Sequence, residues 1–139
     1  MPRSGEKPIR NMPVESETIL VVDDEPGVLD LVRIILSRQG YRVLVADSGP
    51  KALDICREHD GAIDLLLTDV MMPGMSGVAL ARHLKSLCQH LPVLYMTGGT
   101  LESLVDGELD PQSALLRKPF DPPSLVRTIR DFLNETPSS

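Results

Sequence analysis

The sequence predicts an α/β fold: a doubly wound parallel sheet of five strands with helices on both faces. Three observations predict it. Short apolar runs alternate along the chain with longer segments of helical apolar period. Four of the runs end on polar residues: Ile19-Leu20-Val21-Val22 on Asp23-Asp24, Leu65-Leu66-Leu67-Thr68 on Asp69, Val93-Leu94-Tyr95-Met96 on Thr97, and Ala114-Leu115-Leu116 on Arg117-Lys118-Pro119. Turn residues punctuate the alternation, most sharply at Pro73-Gly74. Strict strand–helix alternation argues for parallel strands, because each return crossing needs a helix.

The elements follow in order. Residues 1–17, rich in Pro, Ser, Glu and Arg and without apolar period, read as a disordered tail or linker. A first strand covers 18–22. Pro26 suits the first turn of a helix, where its missing N–H costs nothing. Val28, Leu31, Val32 and Ile35 then recur at helical spacing as its inner face, and Gly40 stops it. A second strand spans 41–46. Ser48 is placed to cap a helix carrying Ala52, Ile55 and Cys56 on one face. The third strand is read at 63–68, and Ser76 caps a helix with Leu80, Leu84 and Leu87 inward. The fourth strand covers 92–96. Leu101, Leu104 and Val105 give one short helix, interrupted by Gly107 and Pro111. A fifth strand spans 114–116, and the last helix runs over 123–134 with Leu125, Ile129, Phe132 and Leu133 inward. The domain is thus expected at 18–134, with 135–139 a disordered end.

Right-handed crossovers leave few ways to wind such a sheet. The flavodoxin-like order 2-1-3-4-5 sets strands 1 and 3 side by side, where ligands sit at the carboxyl ends of the strands. Asp23, Asp24 and Asp69 then share one crevice, with Thr97 and Lys118 at the neighbouring tips.

Composition bounds the function. The chain has 139 residues, enough for one domain with its own core, and no apolar run of bilayer length. It is expected to be soluble and cytoplasmic. A net charge of −6 gives no electrostatic case for nucleic-acid binding by this domain alone. Cys56 and Cys88 lack metal-ligand spacing and are expected to be buried or half-buried. His59, His83 and His90 are expected to face solvent.

Three carboxylates in one cleft repel: two unit charges about 4 Å apart cost roughly 4 kcal/mol at an effective dielectric of 20. A cation or raised pKa values must compensate. An oxygen-only cluster suits a hard ion, and Mg²⁺ prefers one or two carboxylates with waters and a phosphate. Lys118 supplies a mobile ammonium for a phosphoryl oxygen, and Thr97 a hydroxyl. An aspartate in such a place can accept a phosphoryl group as an acyl phosphate. Singly, each residue has a plainer reading: Asp23 or Asp24 as a helix cap, Thr97-Gly98-Gly99 as a loop, Lys118 as a surface lysine. Their conjunction at matching strand tips argues for the site.

Over about 18–134 the chain resembles a response-regulator receiver domain of two-component signalling. The matching stretches are Ile19-Leu20-Val21-Val22-Asp23-Asp24-Glu25-Pro26, Asp69-Val70-Met71-Met72-Pro73-Gly74-Met75-Ser76-Gly77, Thr97-Gly98 and Lys118-Pro119-Phe120. The resemblance implies that Asp69 takes a phosphoryl group from a phosphohistidine on a histidine kinase or histidine phosphotransfer protein. It implies Mg²⁺ held by Asp24, Asp69 and the Met71 backbone carbonyl, with Asp23 acting through water. It implies phosphoryl oxygens held by Thr97 and Lys118, and a cis Lys118–Pro119 bond. Such a domain is no turnover enzyme, although it catalyses its own phosphorylation and dephosphorylation. It is a monomer or a weak phosphorylation-dependent dimer, and it makes no membrane contact.

The aromatic that receivers often carry three residues before the lysine is Leu115 here, with Tyr95 as a substitute or as ordinary strand packing. The leader and the Leu94-Tyr95-Met96-Thr97-Gly98 stretch are similar to C-terminal receivers of hybrid histidine kinases, so the chain reads as a stand-alone regulator or as a receiver from a longer protein.

Three rivals stand beside this reading. An Asp-dependent phosphatase of the haloacid-dehalogenase type needs a second Asp where Met71 sits. A nucleotide-binding module needs a glycine-rich loop that does not follow the first strand. A pseudo-receiver would keep the fold for docking and never be phosphorylated.

Overall fold

The strand sequences contain few charges and fill both faces of one sheet. In a computed structural model, which describes residues 17–88, 90–98 and 114–135, five parallel strands lie in the order β2-β1-β3-β4-β5. The strands are β1 Thr18–Val22, β2 Arg42–Ala46, β3 Leu65–Asp69, β4 Val93–Thr97 and β5 Ala114–Arg117. The described helices are α1 Pro26–Arg38, α2 Gly49–Glu58, α3 Gly77–Leu87 and α4 Pro122–Glu135. Of the expected tail over 1–17 and the expected disordered end over 135–139, only Glu17 and Glu135 are described. Glu17 O accepts from the Arg42 N–H at 2.9 Å, and Glu135 is the last residue of α4 rather than part of a disordered end. The rest of both, with the short helix at 101–105, lies outside the described residues.

β1, β3 and β4 are buried along their whole length, as the central strands of a sheet covered on both faces must be. Alternate side chains divide the core. Leu20, Val22, Leu66 and Tyr95 pack with α2 and α3 residues such as Ala52, Cys56, Leu80 and Leu84. Ile19, Val21, Leu65, Leu67, Leu94 and Met96 pack with Leu29, Val32, Leu36, Leu125 and Ile129 from α1 and α4. Tyr95 therefore lies in strand packing, and Leu115 is half-buried against the same cluster.

Three expectations are corrected. The buried stripe of α1 is Leu29, Val32 and Leu36, while Leu31 is 48% exposed; Val28 and Ile35 pack only at its margin. This helix is apolar on most of its circumference, so spacing alone does not select the stripe that meets the sheet. Leu87, the last residue of α3, is 47% exposed because the helix ends there, past the edge of the core. His59 is half-buried, its Nδ1 2.9 Å from the carbonyl oxygen of Ile55, one turn earlier in α2.

The strand bounds shift by one or two residues. β3 begins at Leu65 because the residues before it are used otherwise: the Ile63 N–H donates to Gly61 O at 2.8 Å, and Asp64 Oδ2 accepts from Thr18 N at 2.7 Å. Both serine caps are present, Ser48 Oγ accepting from Lys51 N and Ser76 Oγ from Ala79 N. Cys56 is buried and Cys88 half-buried, as expected.

Candidate functional site: a carboxylate cluster at the strand tips

The register brings the predicted residues together. β1 and β3 are hydrogen-bonded neighbours, with Val22 opposite Thr68, so Asp23 follows one strand just where Asp69 ends the next. β4 pairs with β3 on the other side and with β5 beyond, which sets Thr97 and Lys118 along the same edge. The Lys118 N–H donates to the Thr97 carbonyl at 2.8 Å, tying these two tips through the backbone. The Lys118–Pro119 peptide is cis.

Asp23, Asp24 and Asp69 each offer a carboxylate oxygen within 4.8 Å of the others. Asp23 is fully buried, Asp69 nearly so, and Asp24 is exposed. Asp23 Oδ1 accepts from the Glu25 N–H at 2.9 Å, which holds the carboxylate over the start of α1. This is not a helix cap: the N-cap of α1 is Glu25, and it makes no side-chain cap bond. Asp69 Oδ1 accepts from the Met71 N–H at 3.3 Å. Lys118 Nζ reaches Asp23 Oδ2 at 2.8 Å, Asp69 Oδ2 at 3.4 Å and Glu25 Oε1 at 3.7 Å. Glu25, to which sequence reasoning gave no role, thus borders the site; its place in the acidic run Asp23-Asp24-Glu25 was the available signal.

Burial raises the Asp69 carboxyl above its ordinary value, and the charge of Asp23 adds to this; Lys118 and the Met71 N–H pull the other way without prevailing. For Lys118, burial would lower the ammonium, but hydrogen bonding and charge from Asp23 and Asp69 outweigh it and the net shift is upward. One ammonium thus faces several acidic oxygens, and the cleft keeps an excess of negative charge. Its donor set is oxygen only, with no His or Cys among the cluster residues, and it is closely spaced and open on the Asp24 side. A hard divalent cation fits such a set. Thr97 is buried at the tip of β4, and Met71 turns its side chain outward, 64% exposed.

Comparison with known proteins agrees with this architecture. The family model described as response regulator receiver domain matches residues 19–130. The chain belongs to this family. Among curated relatives of this receiver domain, the transcriptional regulatory protein CpxR of Escherichia coli is 38% identical over 120 residues, covering 85% of this chain and 50% of CpxR. The chain spans about half the length of the first curated relatives it matches. Among solved structures, a receiver domain from Clostridium thermocellum superposes with a TM-score of 0.76 at 31% identity, covering 85% of this chain and 94% of that one. The receiver domain of the hybrid histidine kinase CckA gives 0.72 at 33% identity, covering 84% and 98%.

Proposed function

We propose that this receiver domain accepts a phosphoryl group on Asp69 from a phosphohistidine of a histidine kinase or histidine phosphotransfer protein, and that the change at Asp69 switches a protein-interaction face. The observation that carries the reading is the placement of Asp69: nearly buried, at the tip of β3, among the carboxylates of Asp23 and Asp24 and 3.4 Å from the Lys118 ammonium. An Asp oxygen attacks phosphorus, the O–P bond forms, the N–P bond breaks, and the electron pair returns to the imidazole nitrogen, which takes up a proton. Such transfer is mainly alignment plus charge neutralisation. Lys118 neutralises charge on the arriving group, and the Thr97 hydroxyl donates to one of its oxygens. The Met71 N–H on Oδ1 and Lys118 on Oδ2 hold the carboxylate plane.

Asp24, Asp69 and the Met71 carbonyl would hold Mg²⁺, with Asp23 acting through water. The ion supplies further neutralisation of the phosphoryl oxygens when bound. The switch is a local charge event biasing the segment that follows Thr97. Leu115 stands in the usual aromatic position and Tyr95 is buried, so the readout runs by another route than an aromatic rotamer at either position. The setting is cytoplasmic, where such partners operate.

The test is intact-mass spectrometry after incubation with acetyl phosphate, with and without Mg²⁺, beside an Asp69→Ala control. One Mg²⁺-dependent phosphoryl adduct, absent from the control, is expected. A folded protein that takes no adduct under any condition would leave docking without phosphorylation as the function. Continuous release of phosphate from small phosphomonoesters would instead make it a phosphatase.

A further inference from the structure

The backbone of Asp69 is gripped from two sides. Gly77 opens α3 with its N–H donating to the Val70 carbonyl at 2.9 Å. A Cβ at Gly77 would overlap the Asp69 carbonyl oxygen, lie 3.0 Å from the carbonyl carbon and meet Thr68 Cγ2 at 3.2 Å. Gly77 sits in a helix, so glycine is needed there for space and not for backbone freedom. That same Asp69 oxygen accepts a hydrogen bond from Thr68 Oγ1 at 3.0 Å, and Thr68 is fully buried. Residues 70–76 thus form a loop whose two ends are stitched together at the acceptor. Within it Met75 N donates to Pro73 O at 3.0 Å and Gly74 takes a φ of 83°.

The orientation of the Asp69 carbonyl sets the direction in which residues 70 and 71 leave the strand. The Met71 N–H in turn holds Asp69 Oδ1 at 3.3 Å. Turning the Asp69 peptide would carry that N–H away from the carboxylate and move the Met71 carbonyl with it. We infer that Thr68 and Gly77 are positioning residues for the acceptor: by fixing the Asp69 peptide between a hydroxyl and a bare Cα, they aim both the Asp69 carboxylate and the Met71 segment. The inference rests on the reading of Asp69 as phosphoacceptor and cation ligand. A purely structural role would be weaker: a buried hydroxyl needs some acceptor, and the nearest carbonyl serves.

The experiment compares the full chain with Thr68→Val, which keeps the shape and removes the hydroxyl, Thr68→Ser, which keeps the hydroxyl, and Gly77→Ala. Mg²⁺ binding is measured by calorimetry with magnesium chloride, and phosphoryl uptake from acetyl phosphate is timed at saturating Mg²⁺. Circular dichroism reports folding. Residues that orient metal ligands typically change affinity about 10- to 100-fold when lost. Thr68→Val is expected to stay folded, to bind Mg²⁺ at least about 10-fold more weakly by that measure, and to take up phosphate more slowly. Thr68→Ser is expected to restore both, and Gly77→Ala to lose more than Thr68→Val. Folded Thr68→Val with the parent's affinity and rate would overturn the inference, even if its melting temperature fell. A parent that neither binds Mg²⁺ nor takes up phosphate would overturn the acceptor reading itself, a separate failure visible before any variant is made.

Discussion

The Lys118 ammonium lies closer to Asp23 than to Asp69, 2.8 Å from Oδ2 of the first and 3.4 Å from Oδ2 of the second. Asp23 is fully buried, and its other oxygen is held by the Glu25 N–H. The lysine thus has a structural duty in the resting protein besides its proposed duty to phosphate. Removing one partner of a buried pair leaves an uncompensated charge, at a cost of about 3 kcal/mol. Lys118→Met is expected to lose roughly that in urea unfolding without metal, and to recover part of it when Mg²⁺ is added.

The same pair sets an alkaline limit. The folded-state pKa of Lys118 is raised above its ordinary 10.5, so its stabilising contribution is complete below that value and lost as pH rises through the folded value. The stability gap between parent and Lys118→Met is expected to be flat through neutral pH and to close only above about pH 10.5. Parallel unfolding curves from pH 7 to 11 measure it; a gap that closes near neutrality would contradict the pairing.

Asp69 follows the same sign at the acid end of the range, where the charged form is the disfavoured one. Burial raises its pKa above the ordinary 3.8, so the folded chain holds that proton more tightly than the unfolded chain. Stability from this group is present at low pH and is lost as pH rises from 3.8 through the folded value. Asp69→Asn is therefore expected to melt at a higher temperature than the parent at pH 7 in EDTA. The advantage shrinks toward pH 4. Equal melting temperatures at pH 7 would show that Asp69 carries no such burden.

The face of α1 gives a stability contrast. Leu36→Ala removes a fully buried side chain and is expected to cost about 3 kcal/mol. Leu31→Ala, at a half-exposed position, is expected to cost less than about 1 kcal/mol. Had the stripe through Val28, Leu31, Val32 and Ile35 faced the sheet, the Leu31 substitution would be the costly one.

That contrast marks where the sequence stops being legible. The strand tips could be read because a buried strand is short, continuous and ended by a polar residue, as at Val22-Asp23 and Thr68-Asp69. From those ends alone, the register at β1 and β3 puts Asp23 and Asp69 together. The stripe of α1 could not be read, since Val28, Leu29, Leu31, Val32, Ile34, Ile35 and Leu36 spread over more than half the circumference, and the polar stripe of Asp30, Arg33 and Ser37 excludes only the side opposite. Its orientation is chosen by the sheet and by α4. In the site, residue identities were legible but pairings were not. Lys118 offers three donors to any oxygen within reach, and only the folded distances show that Asp23 takes the shortest. Thr68 and Gly77 were given no role of their own because what they do lies in a backbone oxygen and in an atom glycine lacks.

The Asp23–Lys118 contact joins residues 95 positions apart. At about 5–20 residues per second, the ribosome releases the acid roughly 5–20 s before the amine that neutralises it. Until then a nascent chain carries its tip carboxylates without their counter-charge, and the sheet lacks its last edge strand. On the proposed function, competence to accept phosphate would thus come late in synthesis, once Lys118 has joined Asp23 and Asp69. A chain truncated before Lys118 is expected to keep Asp23 and Asp69 but to lose the ammonium that faces them, and with it the proposed uptake of phosphate.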